Sequence, residues 1–181
     1  MNRGLFLDRD GVICQERNLF YGGTPVTRAE DLEFFPRTEE AFQRMARLDF
    51  KLVIVTNQSA IGRGELSREE FERMNEKINQ MLGKYGRRFD GIYVCPHVPE
   101  ENCDCRKPKT GMLLRAEREL EIRLRDSIVI GDKTSDIKMG IDAGCRTGLV
   151  KTGYGGRDKL CKVEPDFISD DLYSALTEIG K

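Results

Sequence analysis

The chain has 181 residues, 34% of them charged, with 30 Lys and Arg set against 31 Asp and Glu. That length suits one domain with a substantial core, and the balanced charge argues against both a nucleic-acid-binding excess of cations and an acidic tail. The longest aliphatic run, Leu52-Val53-Ile54-Val55, is far short of a membrane span, and Met1-Asn2-Arg3-Gly4 leaves no room for a signal peptide, so a cytoplasmic protein is expected.

Leu5-Phe6-Leu7 reads as a short buried strand over residues 4–8, closed by Asp8-Arg9-Asp10-Gly11. Two carboxylates two residues apart at a strand end can face one crevice and share a hard cation. The carboxyl end of a parallel strand is where open α/β sheets place ligands. A helix is predicted over 37–48, then a second strand, KLVIVT, over 51–56. It runs into Thr56-Asn57-Gln58-Ser59, whose hydroxyls, amides and backbone N–H groups can donate to phosphate oxygens. Ser67 and Glu70 form a capping box. Phe71, Met74, Ile78, Met81 and Leu82 follow at helical spacing, a stripe that faces a core.

A strand over 91–95 leads into a cluster holding the chain's single histidine and half of its six cysteines. Cys95, His97, Cys103 and Cys105 supply the thiolates and imidazole that tetrahedral Zn²⁺ prefers. Four protein ligands leave no open position, so the zinc of this 95–105 loop is expected to be structural. Cys14, Cys145 and Cys161 read as small core residues. Without an export signal, six cysteines suit thiols or metal ligands rather than a disulfide framework.

Arg106-Lys107-Pro108-Lys109-Thr110-Gly111 is a basic turn entering a helix over 111–124, whose N-terminus adds favourable potential for an anion. A strand over 127–130 precedes Gly131-Asp132-Lys133-Thr134-Ser135-Asp136, which brings a third acidic group to a strand end. Two carboxylates, a backbone carbonyl and a substrate phosphate suffice for Mg²⁺. A helix over 134–143 with Gly144 at C′, a strand over 147–150 and a helix over 170–179 complete the pattern. This alternation predicts a single Rossmann-like α/β domain over 1–181, a mainly parallel sheet with helices on both faces.

The ordered set Asp8-x-Asp10-Gly11, Thr56, Lys107 and Gly131-Asp132-x-x-x-Asp136 resembles the haloacid dehalogenase superfamily of phosphotransferases over nearly the whole chain. The resemblance implies that Asp8 is the nucleophile, taking the phosphoryl group as an aspartyl-phosphate. Asp10 would protonate the leaving alcohol and then deprotonate water. Thr56 and Lys107 would hold the phosphoryl oxygens. Asp8, the Asp10 carbonyl and Asp132 would hold Mg²⁺, with Asp136 steadying the loop. Neither interval where relatives carry a cap has room for one, so a capless, open site is expected, rimmed by residues 16–27 and the zinc loop. Arg63, Arg106 and Lys133 add positive charge near its mouth, which favours a multiply anionic substrate.

Within the superfamily the chain is most similar to the heptose-bisphosphate phosphatases, through Thr56 to Gly64, the Cys-Pro-His…Cys-Asp-Cys loop, Arg106-Lys107-Pro108 and Gly131-Asp132-Lys133. That likeness implies hydrolysis of the 7-phosphate of D-glycero-D-manno-heptose 1,7-bisphosphate in lipopolysaccharide precursor synthesis. Arg106 would recognise substrate, Lys107 and Lys133 would contact phosphate, and Asn57, Gln58 and Ser59 would line the subsite. The expected partner is a small phosphorylated metabolite, a sugar bisphosphate, met by a monomer with no membrane or nucleic acid involved. Histidinol-phosphate phosphatases share the zinc loop, and polynucleotide 3′-phosphatases share Ile-Gly-Arg-Gly and the Arg-Lys-Pro turn. A non-enzymatic zinc module on nucleic acid is disfavoured by the balanced charge.

Overall fold

Leu5, Phe6 and Leu7 are all buried because their strand lies at the centre of a sheet covered on both faces. The computed structural model describes residues 1–16 and 25–179; the segment 17–24, with Tyr21-Gly22-Gly23 of the expected rim, lies outside the described residues. Six parallel strands form the sheet: β1 (Gly4–Leu7), β2 (Lys51–Asn57), β3 (Gly91–Cys95), β4 (Ile128–Gly131), β5 (Arg146–Val150) and β6 (Phe167–Ser169). Their order is β3-β2-β1-β4-β5-β6. The chain winds outward in one direction from β1 and in the other from β4. Carboxyl ends on either side of such a reversal splay apart, and the crevice between them is the expected ligand site.

Alternate residues of each strand feed two separate cores. Leu5, Leu7, Leu52, Ile54, Ile128 and Ile130 point to one, with α1 (Thr38–Met45), α3 (Arg68–Gly83) and α6 (Leu172–Ile179) packed over them. Phe6, Val53, Val55 and Val129 point to the other, covered by α4 (Gly111–Glu119) and α5 (Thr134–Asp142). A one-turn helix, α2 (Ser59–Gly62), follows β2. The result is the α/β architecture predicted, and every strand among the described residues belongs to the one sheet.

Local rules account for most boundaries. Ser67 caps α3 by accepting the Glu70 N–H at 3.1 Å. The reciprocal half of the capping box is not made: the Glu70 carboxylate instead accepts the Ala29 N–H at 2.9 Å, pinning the segment that returns from the undescribed stretch. Gly144 takes φ +75°, as a C′ residue should. The helix predicted over 111–124 stops at Glu119, because Glu121 adopts φ +53° and Ile122 turns to bridge Asn2. The helix predicted over 37–48 runs from Thr38 to Met45, since Arg37 itself stands at φ +64°. Strand β6 is absent from the sequence reading.

Candidate active site

The carboxyl ends of β1, β2 and β4 open onto a cleft of about 700 Å³. Asp8 and Asp10 enter it from the end of β1, Thr56 and Asn57 from β2, and Gln58 and Ser59 from the turn after it. Arg106 and Lys107 arrive from the turn before α4, and Lys133 from the end of β4. Asp132 lies beneath the cleft, fully buried. The structure therefore gathers every catalytic and substrate-contacting candidate named from the sequence into one place.

Lys107 is the hub. Its buried ammonium stands 2.9 Å from Asp8 Oδ1 and 2.6 Å from Asp136 Oδ1, and donates to the Val55 carbonyl at 3.2 Å. Burial opposes its charge, but Asp136 and Asp8 outweigh that and hold the ammonium protonated. Asp136 also accepts the Lys133 N–H at 3.0 Å, steadying the start of α5. Asn57 Oδ1 accepts the Lys107 N–H at 3.1 Å, which ties the basic turn to β2.

Asp8, Asp132 and Asp136 bring carboxylate oxygens within 4.8 Å of one another. Burial pushes the Asp8 carboxyl up to about 6, against the pull of Lys107. Burial, followed by the charge of Asp8, raises Asp132 well above the carboxylate range. One oxygen of Asp132, Oδ2, accepts the Tyr154 N–H at 2.7 Å; the other, Oδ1, is buried with no hydrogen-bond partner among the described residues. An orphaned oxygen among crowded carboxylates fits a hard divalent cation, which would supply the missing partner and charge. Asp10 lies apart from that group. Burial works against its ionisation, yet Arg9 and Gln58 hold it below the usual range. Arg9 binds both its oxygens, at 3.1 and 3.2 Å from Nε and 2.9 Å from Nη2, and Gln58 Nε2 donates to Oδ2.

The Cys95, Cys103 and Cys105 sulfurs and His97 Nδ1 form a second cluster, with separations of 3.2–3.6 Å. A tetrahedron with metal–sulfur bonds of about 2.3 Å has edges of about 3.8 Å, so the donor set and spacing fit zinc. Arg106 Nη1 donates to the His97 carbonyl at 3.2 Å, which joins this loop to the cleft. Cys14 and Cys145 are core residues as predicted, whereas Cys161 sits half-buried on the loop after β5 and donates its N–H to Thr134 Oγ1.

That loop is what the sequence reading missed. Gly153 and Gly11 close over Asp132 so tightly that a Cβ on either would stand 2.2 Å from Asp132 Oδ2. Tyr154, Asp158 and Leu160 line the cleft, and Tyr154 lies under Lys133 Nζ at 4.8 Å. Glu16 is more than rim: its carboxylate accepts from Lys133 Nζ at 3.1 Å. Arg63 lines the cleft while paired with Glu65 at 2.9 Å. The run Gly153-Tyr154-Gly155-Gly156, two residues beyond a strand, was the available signal.

Comparison with known proteins agrees with this geometry. The HAD-hydrolase-like family model matches residues 104–175. The D-glycero-beta-D-manno-heptose-1,7-bisphosphate 7-phosphatase of Haemophilus influenzae is 41% identical, over 100% of this chain and 96% of its own. That of Helicobacter pylori strain J99 is also 41% identical, over 83% of this chain and 84% of its own. The crystal structure of D,D-heptose 1,7-bisphosphate phosphatase from B. bronchiseptica, complexed with magnesium and phosphate, superimposes with a TM-score of 0.87 at 29% identity, covering 98% of this chain and 97% of that one. Among the described residues no helix is long and apolar enough to cross a membrane. With its sheet order, its acidic cluster around a buried lysine and its full-length relatives, the chain belongs to the haloacid dehalogenase-like hydrolases, in the family of the heptose-1,7-bisphosphate 7-phosphatases.

Proposed function

We propose that this chain is a cytoplasmic phosphatase that removes the 7-phosphate of D-glycero-D-manno-heptose 1,7-bisphosphate through an aspartyl-phosphate on Asp8, with residues 1–181 acting as one catalytic domain. The observation that carries the reading is Asp8 at a strand end, held by buried Lys107 beside the orphaned oxygen of Asp132. Full-length relatives carrying that name support the substrate. A role in lipopolysaccharide precursor synthesis is proposed for this chain, and a monomer is the proposed working form.

In this mechanism an Asp8 oxygen attacks phosphorus in line with the departing alcohol. Asp10 gives that alcohol a proton and afterwards takes one from the water that hydrolyses the acyl phosphate. Lys107 and Thr56 hold phosphoryl oxygens as charge moves onto them, with Asn57, Gln58 and Ser59 lining the same subsite. Mg²⁺, held by the Asp8 and Asp132 carboxylates and the Asp10 carbonyl, would offset repulsion between nucleophile and phosphate. Arg106 and Lys133 serve the far end of the substrate.

The deciding assay measures phosphate release, side by side, from the β and α anomers of the heptose bisphosphate, histidinol phosphate and a 3′-phosphorylated oligonucleotide. The β anomer is expected to give the highest kcat/KM. A preference for histidinol phosphate or the oligonucleotide overturns the substrate assignment.

Arg106→Ala tests the distal contact. One charge-assisted hydrogen bond is worth about 1.5–3 kcal/mol. A drop of about 10- to 100-fold in kcat/KM is therefore expected on the bisphosphate, with little change on a small monophosphate ester. Equal losses would mean that Arg106 serves only to brace the His97 carbonyl.

Zinc at Cys95, His97, Cys103 and Cys105 is proposed as structural, and about one equivalent is expected to copurify. Cys103→Ser is expected to lose the metal and to raise KM more than it lowers kcat, because the loop braces Arg106 rather than the reacting atoms. Metal analysis finding no zinc after reducing, chelator-free purification would overturn the site.

A further inference from the structure

Arg9, the residue between the two aspartates, is 1% exposed. Its guanidinium lies 5.4 Å from the centre of the Phe71 ring, and Nη1 approaches Met74 Sδ at 3.7 Å, both on α3. A buried guanidinium is expensive to desolvate, and a well-packed apolar residue of similar volume usually serves such a position as well or better. Packing alone therefore does not account for Arg9. Its polar edge is spent on Asp10: Nη2 stands 2.9 Å from Oδ2, and Nε is shared between Oδ2 at 3.1 Å and Oδ1 at 3.2 Å. Gln58 Nε2 adds a second donor to Oδ2, and Gln58 is itself anchored by its N–H on the Cys95 carbonyl at 2.8 Å. Oδ2 is thus saturated from two sides, while among the described residues Oδ1 has a single long contact, to Arg9 Nε. The Asp10 side chain is 18% exposed towards the cleft.

We propose that Arg9 is a positioning residue that, together with Gln58, locks the Asp10 carboxyl so that proton exchange with the reacting groups runs through Oδ1. The inference rests on the reading of Asp10 as the acid and base. In the first step a bond forms between an Asp8 oxygen and phosphorus. The bond from phosphorus to the alcohol oxygen breaks, its electron pair stays on that oxygen, and the proton that Asp10 Oδ1 takes up as the anionic phosphate ester binds moves there. In the second step Oδ1 takes a proton from water, whose oxygen attacks phosphorus and frees Asp8 and inorganic phosphate. The Arg9 side chain, buried beneath α3, sets where Oδ1 stands. Its planar fork explains why the position takes arginine, since lysine offers a point charge and fixes no plane.

The test uses leaving groups that differ in their need for a proton. A sugar alkoxide must be protonated as it departs, whereas p-nitrophenolate leaves without help, and kcat/KM reports the steps up to that departure. Arg9→Met is expected to lose about 100-fold in kcat/KM on the heptose bisphosphate, the scale of a misplaced catalytic group, and under about 5-fold on p-nitrophenyl phosphate. Arg9→Lys, which keeps a buried charge but fixes no plane, is expected to show the same selectivity to a smaller degree, and it decides the matter if Arg9→Met does not fold. Equal losses on the two esters in folded protein overturn the proposal. Asp10→Asn is run alongside. If it too loses equally on both esters, the reading of Asp10 as acid fails. If Asp10→Asn is selective and the Arg9 variants are not, only the positioning role fails.

Discussion

Asp8→Asn is expected to abolish turnover, by a factor on the order of 10⁵–10⁶ as for other lost nucleophiles, while leaving the protein folded. The carboxamide keeps an oxygen for the Arg9 N–H that Asp8 Oδ1 accepts at 2.8 Å. It cannot attack phosphorus. Lys107 keeps its pair with Asp136 at 2.6 Å, so no buried cation is stranded. Without metal, the fold is expected to be more stable than wild type at neutral pH. Burial raises Asp8 from 3.8 to about 6, so its charge costs stability above that pH, and Asn removes the cost. The gain is present above about pH 6, shrinks as the pH falls from 6 and is lost below 3.8, where the wild-type carboxyl is protonated in both folded and unfolded chains. Mg²⁺ should raise the Tm of the wild type more than that of the variant, since a ligand bound only by the native state stabilises it. Thermal melts across pH, with and without Mg²⁺, check all of this beside the activity assay. Mg²⁺-dependent turnover persisting in folded Asp8→Asn overturns the mechanism.

Lys107→Met is expected to act on both fold and chemistry. The ammonium is the buried cation bridging Asp8 and Asp136, and Asp132 belongs to the same acidic group. Removing one partner from a buried pair costs about 3–5 kcal/mol, or roughly 6–20 °C in Tm for a chain of this size. The loss should shrink as pH falls and the stranded carboxylates take up protons. Activity is expected to fall by about 10²–10³-fold or more, since an electrostatic contact to the moving phosphoryl charge is gone. A Tm within 2 °C of wild type, a figure set by roughly 1 kcal/mol, would mean that Lys107 does not neutralise this cluster.

Much of the site was legible because its signals are local. Asp8-Arg9-Asp10-Gly11 follows an apolar run, Ser67 sits three residues before Glu70, and Cys95, His97, Cys103 and Cys105 fall within eleven residues. Turn chemistry, capping and ligand spacing are properties of neighbouring residues, so sequence alone determined them, along with the strand–helix alternation and hence the parallel sheet. Strand β6 escaped because three residues with a half-exposed Ile168 carry no periodicity. Only the tertiary structure decided what spans distance. It set the strand order that makes a crevice beside β1, and it placed Lys107 Nζ 2.9 Å from a carboxylate 99 positions earlier in the chain. It turned Glu70 from its own helix cap to Ala29, pressed Gly153 against Asp132, and buried Arg9 beneath α3 against Asp10. Each of these depends on which elements pack together, and that is settled by burying two apolar faces of one sheet rather than by any residue's neighbours.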